Sequence, residues 1–230
     1  IAQEFTNEAG GTLTIATTHT QARYVLPPVI KRFTARYPKV KLILRQGSPT
    51  QISTLVTSGE ADVAIATEAI DQFHELILLP CYQWNRCIVV PPKHSLLKLK
   101  KLTLEAINQY PIITYDFAFT GRSKINQAFE SRGLEPNVVL TAIDSDVIKT
   151  YVELGLGIGI LANMAFDAKR DKNLRSIDAS HLFEPSTTRI GISRNTYLRG
   201  YIFDFIEMFA PHLNHANIQA KLDNSETDTV

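Results

Sequence analysis

The segment from Gly11 to Pro49 constrains the fold most, because it has the order strand, polar turn, amphipathic helix, strand. Residues 12–17 are rich in Thr, Leu and Ile, as strands are. Apolar residues then recur at the spacing of one buried helix face, at Leu26, Ile30, Phe33 and Tyr37. Between strand and helix lie five polar residues, namely Thr17, Thr18, His19, Thr20 and Gln21. In an open α/β sheet, ligands bind at such a turn, so either a binding site or a simple helix cap is predicted here.

A second helix and a third strand follow directly. Ser48 as cap, Pro49 at the first helical position and Gln51 three residues after the cap predict a helix that ends at Gly59. The strand ADVAIAT comes next and ends at Thr67. The order β-α-β-α-β predicts a right-handed parallel sheet, with Thr67 on the same edge as the first polar turn.

A similar α/β unit is predicted after residues 91–94. Two strands are expected before this turn, at Leu76–Pro80 and Arg86–Pro91. After it, helices are expected from Thr103, Thr120 and Asp144. They alternate with strands at Ile112–Tyr115, Val138–Thr141 and Ile158–Leu161. A strand at Arg189–Ser193 and a helix at Tyr197–Phe209 return to the first unit, and the residues from His215 onward are expected to be frayed. The apolar face of that helix, formed by Tyr201, Phe205 and Phe209, is expected to pack partly in the core and partly against another subunit.

The predicted fold class is therefore α/β, with two Rossmann-like subdomains joined by crossing strands and a ligand cleft between the lobes. The first subdomain comprises residues 12–80 and 187–213, and the second comprises residues 81–186. Residues 214–230 are interpreted as a tail. The second subdomain repeats the polar turn at Phe119–Ser123, where Thr120 opens a helix and Arg122 is either a charged ligand or a surface side chain. Two such helix starts facing one cleft would bind an anion without a formal positive charge.

Composition excludes several classes of function. The 24 Lys and Arg residues balance 23 Asp and Glu residues, so this chain has no basic field with which to hold nucleic acid. The sequence has no apolar run of the roughly 20 residues that span a membrane. Cys81 and Cys87 have neither the spacing of a redox motif nor the number of a disulfide framework, which favours reduced thiols in a cytoplasmic protein.

Enzymatic signatures are weak. The sequence contains no HExxH, G-x-S-x-G or P-loop motif, and its six histidines show no metal-ligand spacing. His19 is more readily explained as a structural hydrogen-bonding group than as a base. The glycines of LGLGIGI, at residues 155, 157 and 159, follow a helix and lead into a strand, which indicates close packing rather than a nucleotide loop. Asp144 and Asp146 are expected to serve as a helix cap and a dipole partner.

Several longer strings make the chain recognisable. TIATTHTQARYVLPPVIKRF, RQGSPTQI, GEADVAIATEA, LPCYQWNR, TGRS, DSDVIKTYVELGLGIGILA and YIFDFIEMFAPHL together resemble the effector-binding domain of LysR-type transcriptional regulators over about residues 11–213. ATTHTQARY and DSDVIKTY are similar to one subgroup, the activators of sulfur assimilation and cysteine biosynthesis. The resemblance implies a periplasmic-binding-protein-like fold, a homodimer or homotetramer, no cofactor or metal, and promoter binding only through an N-terminal winged helix-turn-helix that would precede the linker IAQEFTNEAGG.

The resemblance also implies the site. In that subgroup an anion such as sulfate is bound by threonine hydroxyls, a glutamine and helix amides, and the matching residues are Thr18, Thr20, Gln21, Thr67 and Thr120. By position, Ser48 lies on the same rim and Trp84 lies near the entrance of the second lobe. The effector is expected to be sulfate, thiosulfate, an adenylyl sulfate or an acetylserine, all of which present oxygen acceptors. A bilobed solute-binding protein for an anion is the alternative, and an enzyme of sulfur metabolism is disfavoured because no nucleophile-base pair is evident.

Overall fold

The computed structural model describes residues 10–67, 70–71, 73–117, 121–194 and 196–227, and these residues form two compact units. Unit 1 contains the residues up to Tyr82 and those from Thr187 onward. Unit 2 contains Gln83–Ser186. The chain therefore passes from unit 1 to unit 2 once and returns once.

Unit 1 has a five-stranded sheet in the order β2-β1-β3-β10-β4. Its strands are β1 (Gly11–Thr17), β2 (Val40–Gln46), β3 (Val63–Ala66), β4 (Leu76–Trp84) and β10 (Ser186–Ser193). Its helices are α1 (Leu26–Arg36), α2 (Pro49–Thr57), α6 (Gly200–Phe209) and α7 (His215–Thr227). Strand β1 runs parallel to β2 and β3, as predicted, whereas β10 runs antiparallel to β3. The sheet is therefore mixed, because the returning strand enters from the opposite direction.

The sheet of unit 1 is covered on both faces, since neighbouring strand residues point to opposite sides. Leu13 and Ile15 of β1 belong to one apolar cluster together with Phe33 of α1, and Ala16 belongs to a second cluster with Ile52 of α2. Both clusters are buried. The rim at the end of β1 is thus held between two packed layers.

Of two expectations about the end of the chain, the first is confirmed for the core and wrong for a second subunit, and the second is wrong. Tyr201, Phe205 and Phe209 are all buried in the core of unit 1, where Phe33 meets Tyr201 and Phe205 edge to face, so this face is not left for another subunit. His215–Thr227 form α7 instead of a frayed segment, because Ile218 is buried in the same core and anchors the helix.

Unit 2 repeats the arrangement, with the strand order β7-β6-β8-β5-β9. Its strands are β5 (Arg86–Val90), β6 (Ile112–Tyr115), β7 (Val138–Ala142), β8 (Ile158–Ala162) and β9 (Arg175–Asp178). Its helices are α3 (Leu104–Ile107), α4 (Arg122–Glu130) and α5 (Ser145–Glu153). Strand β6 is parallel to β7 and β8, whereas β5 is antiparallel to β8 and β9. Strand β9 was not predicted, because its sequence RSID is mostly exposed and lacks an apolar face.

The packing interpretation of LGLGIGI is confirmed for Gly157 and Gly159 but is wrong for Gly155, which has no atom within 4 Å of a Cβ position and has a φ of 81°. A Cβ atom on Gly159 of β8 would lie 3.1 Å from Val152 Cγ2 and 3.2 Å from Ile148 Cγ2, both on α5. A Cβ atom on Gly157 would lie only 2.3 Å from the carbonyl oxygen of Pro111. These glycines permit close approach of helix, strand and loop.

Candidate functional site

The carboxyl ends of three neighbouring strands of unit 1 form one rim. Thr17 at the end of β1 is in register with Gln46 of β2 and with Ile65 of β3. The Gly47 N–H donates to the Thr17 carbonyl oxygen over 3.2 Å. The segments that begin with Thr18, Ser48 and Thr67 therefore all leave the sheet at this edge, as the sequence predicted. These three segments contain five of the seven candidate residues, namely Thr18, Thr20, Gln21, Ser48 and Thr67.

Three hydroxyl-bearing candidates of this rim are almost completely buried, whereas Ser48 is only half-buried. Thr18 is 3% exposed, Thr20 is 1% exposed and Thr67 is 2% exposed. Thr20 stands at the helix start without a side-chain capping hydrogen bond, so its hydroxyl is not used to cap the helix. Thr17, by contrast, donates its hydroxyl to the Ile65 carbonyl oxygen over 3.1 Å and serves to join β1 to β3.

The turn after Thr20 has a backbone feature that the sequence did not predict. Gln21–Val25 form one turn of π-helix, which leads directly into α1. Isolated π turns of this kind are rare and occur often at functional sites. The wider turn buries the side chain of Gln21, which is 1% exposed.

Gln21 is bound on both sides of its amide by residues of its own unit. Its Nε2 donates to Thr188 Oγ1 on β10 over 3.2 Å, and its Oε1 accepts a hydrogen bond from the hydroxyl of Tyr82 on β4. Within the described residues Gln21 Nε2 makes this one hydrogen bond, although its NH₂ group carries two donors. Tyr82 and Thr188 were not identified from the sequence, since they are 61 and 167 residues away from Gln21 and no local pattern joins them.

Ser48 combines the predicted cap with a position on the rim. Its Oγ accepts a hydrogen bond from the Gln51 N–H over 3.3 Å, and its own N–H donates to Gln51 Oε1 over 2.9 Å, which confirms the capping box of α2. The hydroxyl proton of Ser48 is still a donor, because capping uses only a lone pair of the oxygen.

Trp84 lies at the end of β4 and is 5% exposed. The guanidinium of Arg86 lies 5.2 Å from the centre of the Trp84 ring and 6.0 Å from that of Phe183. Trp84 thus forms one wall around a buried cation within unit 2. Arg86 was not identified from the sequence as important.

The start of α4 in unit 2 is described only in part. Thr120, the candidate ligand of this unit, lies outside the described residues. Gly121 follows it with a φ of 66°, in the left-handed region, and α4 begins at Arg122 rather than at Thr120. Arg122 is neither a free charge nor a plain surface residue, because its Nη1 donates to the Tyr115 carbonyl oxygen and its Nε donates to Asn126 Oδ1. Burial lowers the pKa of Arg122 from its ordinary value, and nearby Asp116 opposes that effect.

The rim of unit 1 can bind a group of concentrated negative charge with neutral donors. Its candidates carry hydroxyl and amide groups, and the helices that begin there direct backbone N–H groups and the positive end of their dipoles toward the same edge. Because the donors are buried, each hydrogen bond to an anion is stronger than the same bond in water. This chemistry is recognition rather than bond making.

Comparisons with known proteins agree with this interpretation. The LysR substrate binding domain family matches residues 6–214. The chain is 56% identical to the HTH-type transcriptional regulator SsuR of Burkholderia cenocepacia over 222 residues, which cover 96% of the chain and 72% of that regulator. It is 53% identical to the regulator CysB of Haemophilus influenzae over 219 residues, which cover 95% of the chain and 68% of the relative.

A solved structure is similar along nearly the whole chain. The cofactor-binding domain of the Cbl transcriptional regulator has a TM-score of 0.91 and 45% identity, with 94% of this chain and 95% of that domain covered. The chain therefore belongs to the LysR family of transcriptional regulators and is an effector-binding domain of two mixed α/β subdomains. The resemblance to CysB and Cbl that the sequence strings indicated is confirmed, and SsuR is a further close relative.

The family also decides between the broad classes of function. Its members bind small-molecule effectors and DNA, and the relatives are transcriptional regulators rather than enzymes or transport proteins. Within the described residues, no helix combines the length and apolar character that crossing a bilayer requires.

Proposed function

We propose that this chain senses a sulfate-like anion or a related sulfur metabolite for a transcriptional activator of sulfur assimilation and cysteine biosynthesis. Occupancy of the site is transmitted to a DNA-binding domain, which places the regulator in the cytoplasm with its promoters. The observation that carries the proposal is the burial of Thr18, Thr20, Gln21 and Thr67 at one sheet edge of a chain that is 53% identical to a CysB regulator.

The effector ligands proposed in unit 1 are Thr18, Thr20, Gln21 and Thr67, with Ser48 at the start of α2. Neutral donors favour a small, compact anion, because hydroxyls and amides can surround it without the planar geometry that a guanidinium imposes. Sulfate, thiosulfate, an adenylyl sulfate and an acetylserine all offer suitable oxygens. Thr120 and Trp84 are proposed to contribute from unit 2.

The test is calorimetry of the chain with sodium sulfate, sodium thiosulfate, adenylyl sulfate and acetylserine. Thr20→Ala removes one buried donor and should weaken binding by about tenfold or more, since a hydrogen bond to a charged group contributes about 1.5–3 kcal/mol. Thr120→Ala should do the same if unit 2 contributes. The matched control is Thr34→Ala, because Thr34 is exposed near the other end of α1 and bonds only along its own helix.

The outcomes are distinct. Weaker binding in Thr20→Ala with unchanged binding in Thr34→Ala supports the site at the rim. Unchanged affinity in Thr18→Ala, Thr20→Ala and Thr67→Ala would place the effector elsewhere. The ligand with the highest affinity in this panel identifies the chemical class of the effector.

Assembly into a homodimer or homotetramer is part of the proposal. Exposed apolar side chains that could support it occur on β7 and around α5 of unit 2, at Val139, Ile143, Val147, Leu154 and Leu156. They take the place of the α6 face that the sequence had suggested.

A further inference from the structure

The two places where the chain passes between the units are each held by a buried polar side chain. The first crossing, residues 82–86, contains the boundary between Tyr82 and Gln83, and the second crossing, residues 184–188, contains the boundary between Ser186 and Thr187. Within each unit, one buried side chain connects residues of these crossings with a helix start. In unit 1 that start is the π turn before α1, and in unit 2 it is the start of α4.

In unit 1 this side chain is Gln21, the first residue of the π turn that opens α1. Its amide bonds to Tyr82 in the first crossing and to Thr188 in the second. The hydroxyl of Tyr82 also forms a hydrogen bond with the side chain of Thr188, so each of these three side chains is hydrogen-bonded to the other two. The start of α1 therefore cannot shift without stretching a bond to one crossing or the other.

In unit 2 the corresponding side chain is Arg86, which lies in the first crossing and is 1% exposed. Its Nη1 donates to the Glu184 carbonyl oxygen over 2.9 Å, and its Nη2 donates to Ser186 Oγ over 2.8 Å, both in the second crossing. The same Nη2 donates to the carbonyl oxygen of Gly121 at the start of α4 over 3.0 Å. A Cβ atom on Gly121 would lie 2.0 Å from Nη2, so this approach requires glycine.

Stability alone does not account for these groups. A buried amide or guanidinium must recover its lost hydration through hydrogen bonds, and apolar residues of similar volume often give equal or greater stability at such positions. Gln21 and Arg86 have one feature in common, which is that each connects residues of the crossings with the start of a helical segment. The shared geometry indicates a mechanical connection.

We propose that Gln21, through Tyr82 and Thr188, and Arg86, through Ser186, are positioning residues that couple effector binding at the starts of α1 and α4 to the backbone of the two crossings. The inference rests on the proposed function, because it takes the effector to bind at these helix starts. When the π turn before α1 closes on an anion, Gln21 moves with that turn, and the crossing residues keep their hydrogen bonds to Gln21 only if they move as well. Effector binding then changes the positions of residues in the two crossings.

The test uses Tyr82→Phe and Ser186→Ala, each of which deletes one hydroxyl from one network. Tyr82→Phe keeps the ring that packs 5.9 Å from Phe209, and Tyr110→Phe is the matched control, because it removes a hydrogen-bonded hydroxyl that faces Ser95 instead. Sodium sulfate affinity is measured by calorimetry. Amide hydrogen exchange is measured in peptides that cover the two crossings, with and without saturating sodium sulfate.

In the unmodified chain and in Tyr110→Phe, sulfate should slow exchange in both crossings. In Tyr82→Phe and Ser186→Ala, the affinity for sulfate should fall by about fivefold at most, which corresponds to one neutral hydrogen bond. The slowing of amide exchange by saturating sulfate should fall by half or more in both variants. A purely structural role would lower the melting temperature and leave the slowing intact.

Three results would overturn the coupling. They are full slowing in both variants, a loss of affinity with slowing retained at saturation, and no slowing in an unmodified chain that does bind sulfate. If the unmodified chain binds no member of the effector panel, the proposed function itself fails and this inference fails with it, which calorimetry alone distinguishes from the other results.

Discussion

At the residue scale, the polar side chains of the rim differ in how much of their hydrogen-bonding capacity the fold already uses. Thr17 gives its hydroxyl proton to the Ile65 carbonyl oxygen, and Gln21 uses its oxygen and one of its amide hydrogens. Thr20 makes no capping bond and is 1% exposed. The Thr20 hydroxyl is therefore not committed to capping this helix, and Thr20→Ala removes it without losing a capping bond.

The two thiols provide a pH-dependent prediction. Burial raises the pKa of Cys81 from 9.0 to about 12 and that of Cys87 from 9.0 to about 11. As pH rises above about 9, thiols of the unfolded chain lose protons that the folded chain retains, so the free energy of unfolding should fall toward alkaline pH. Denaturant titrations at pH 7, 9 and 10 should show this decline.

A thiol-free variant supplies the control for that decline. Cys81→Ala combined with Cys87→Ala should show a shallower fall in the free energy of unfolding between pH 9 and pH 10, even if it is less stable overall.

In the unmodified folded chain, both thiols should also react slowly with a maleimide at pH 8, because the reactive thiolate is scarce and buried. Labelling at the rate of free cysteine would contradict the burial of both residues.

At the element scale, local chemistry predicted the helix starts and strands that depend on near neighbours. The capping box of α2 at Ser48 and the Asp144 cap of α5, which accepts from the Val147 N–H over 2.8 Å, were both predicted from residue spacing. Strand β6 has the predicted bounds of Ile112–Tyr115. Such features depend on contacts within four residues, which a sequence displays directly.

Elements that depend on distant partners could not be predicted in the same way. The π turn at Gln21 forms where the side chain reaches Tyr82 and Thr188, which lie far away along the chain. The helix from Thr103 is only one turn long, and α7 depends on Ile218 entering a core built by other segments. The candidate ligands were named from family resemblance and from their place after strands, whereas the network behind them required the structure.

Close packing at the end of α5 leads to a prediction about glycine. Gly157→Ala should lower the free energy of unfolding by about 1–3 kcal/mol, because the new methyl group would meet the Pro111 carbonyl oxygen and force the backbone to move. Gly200→Ala is the matched control, since no atom lies within 4 Å of a Cβ atom there. Urea denaturation of both variants measures the difference, and equal stability of the two would disprove the tight contact.

At the scale of the whole molecule, charge predicts how the chain behaves toward DNA. With a formal net charge of +1, these 230 residues should give no specific band shift with a cysteine-biosynthesis promoter. The measurement is an electrophoretic mobility assay at low salt, with full-length CysB as the positive control. A sequence-specific complex formed by this chain alone would show that the effector-binding domain reads DNA itself.

The position of β10 has a consequence for how the chain folds as it is synthesised. Strand β10 lies between β3 and β4 in the sheet of unit 1, although it follows β4 by about a hundred residues in the sequence. Unit 2 is one continuous segment, so it can fold while the ribosome is still adding the rest, at about 5–20 residues per second. Until residue 193 has emerged, β4 lacks its neighbour in the strand order, which is β10, and β3 has an unpaired edge. The sheet that carries the proposed effector rim is therefore completed only late in translation, and a nascent chain that stalls before β10 would expose aggregation-prone strand edges.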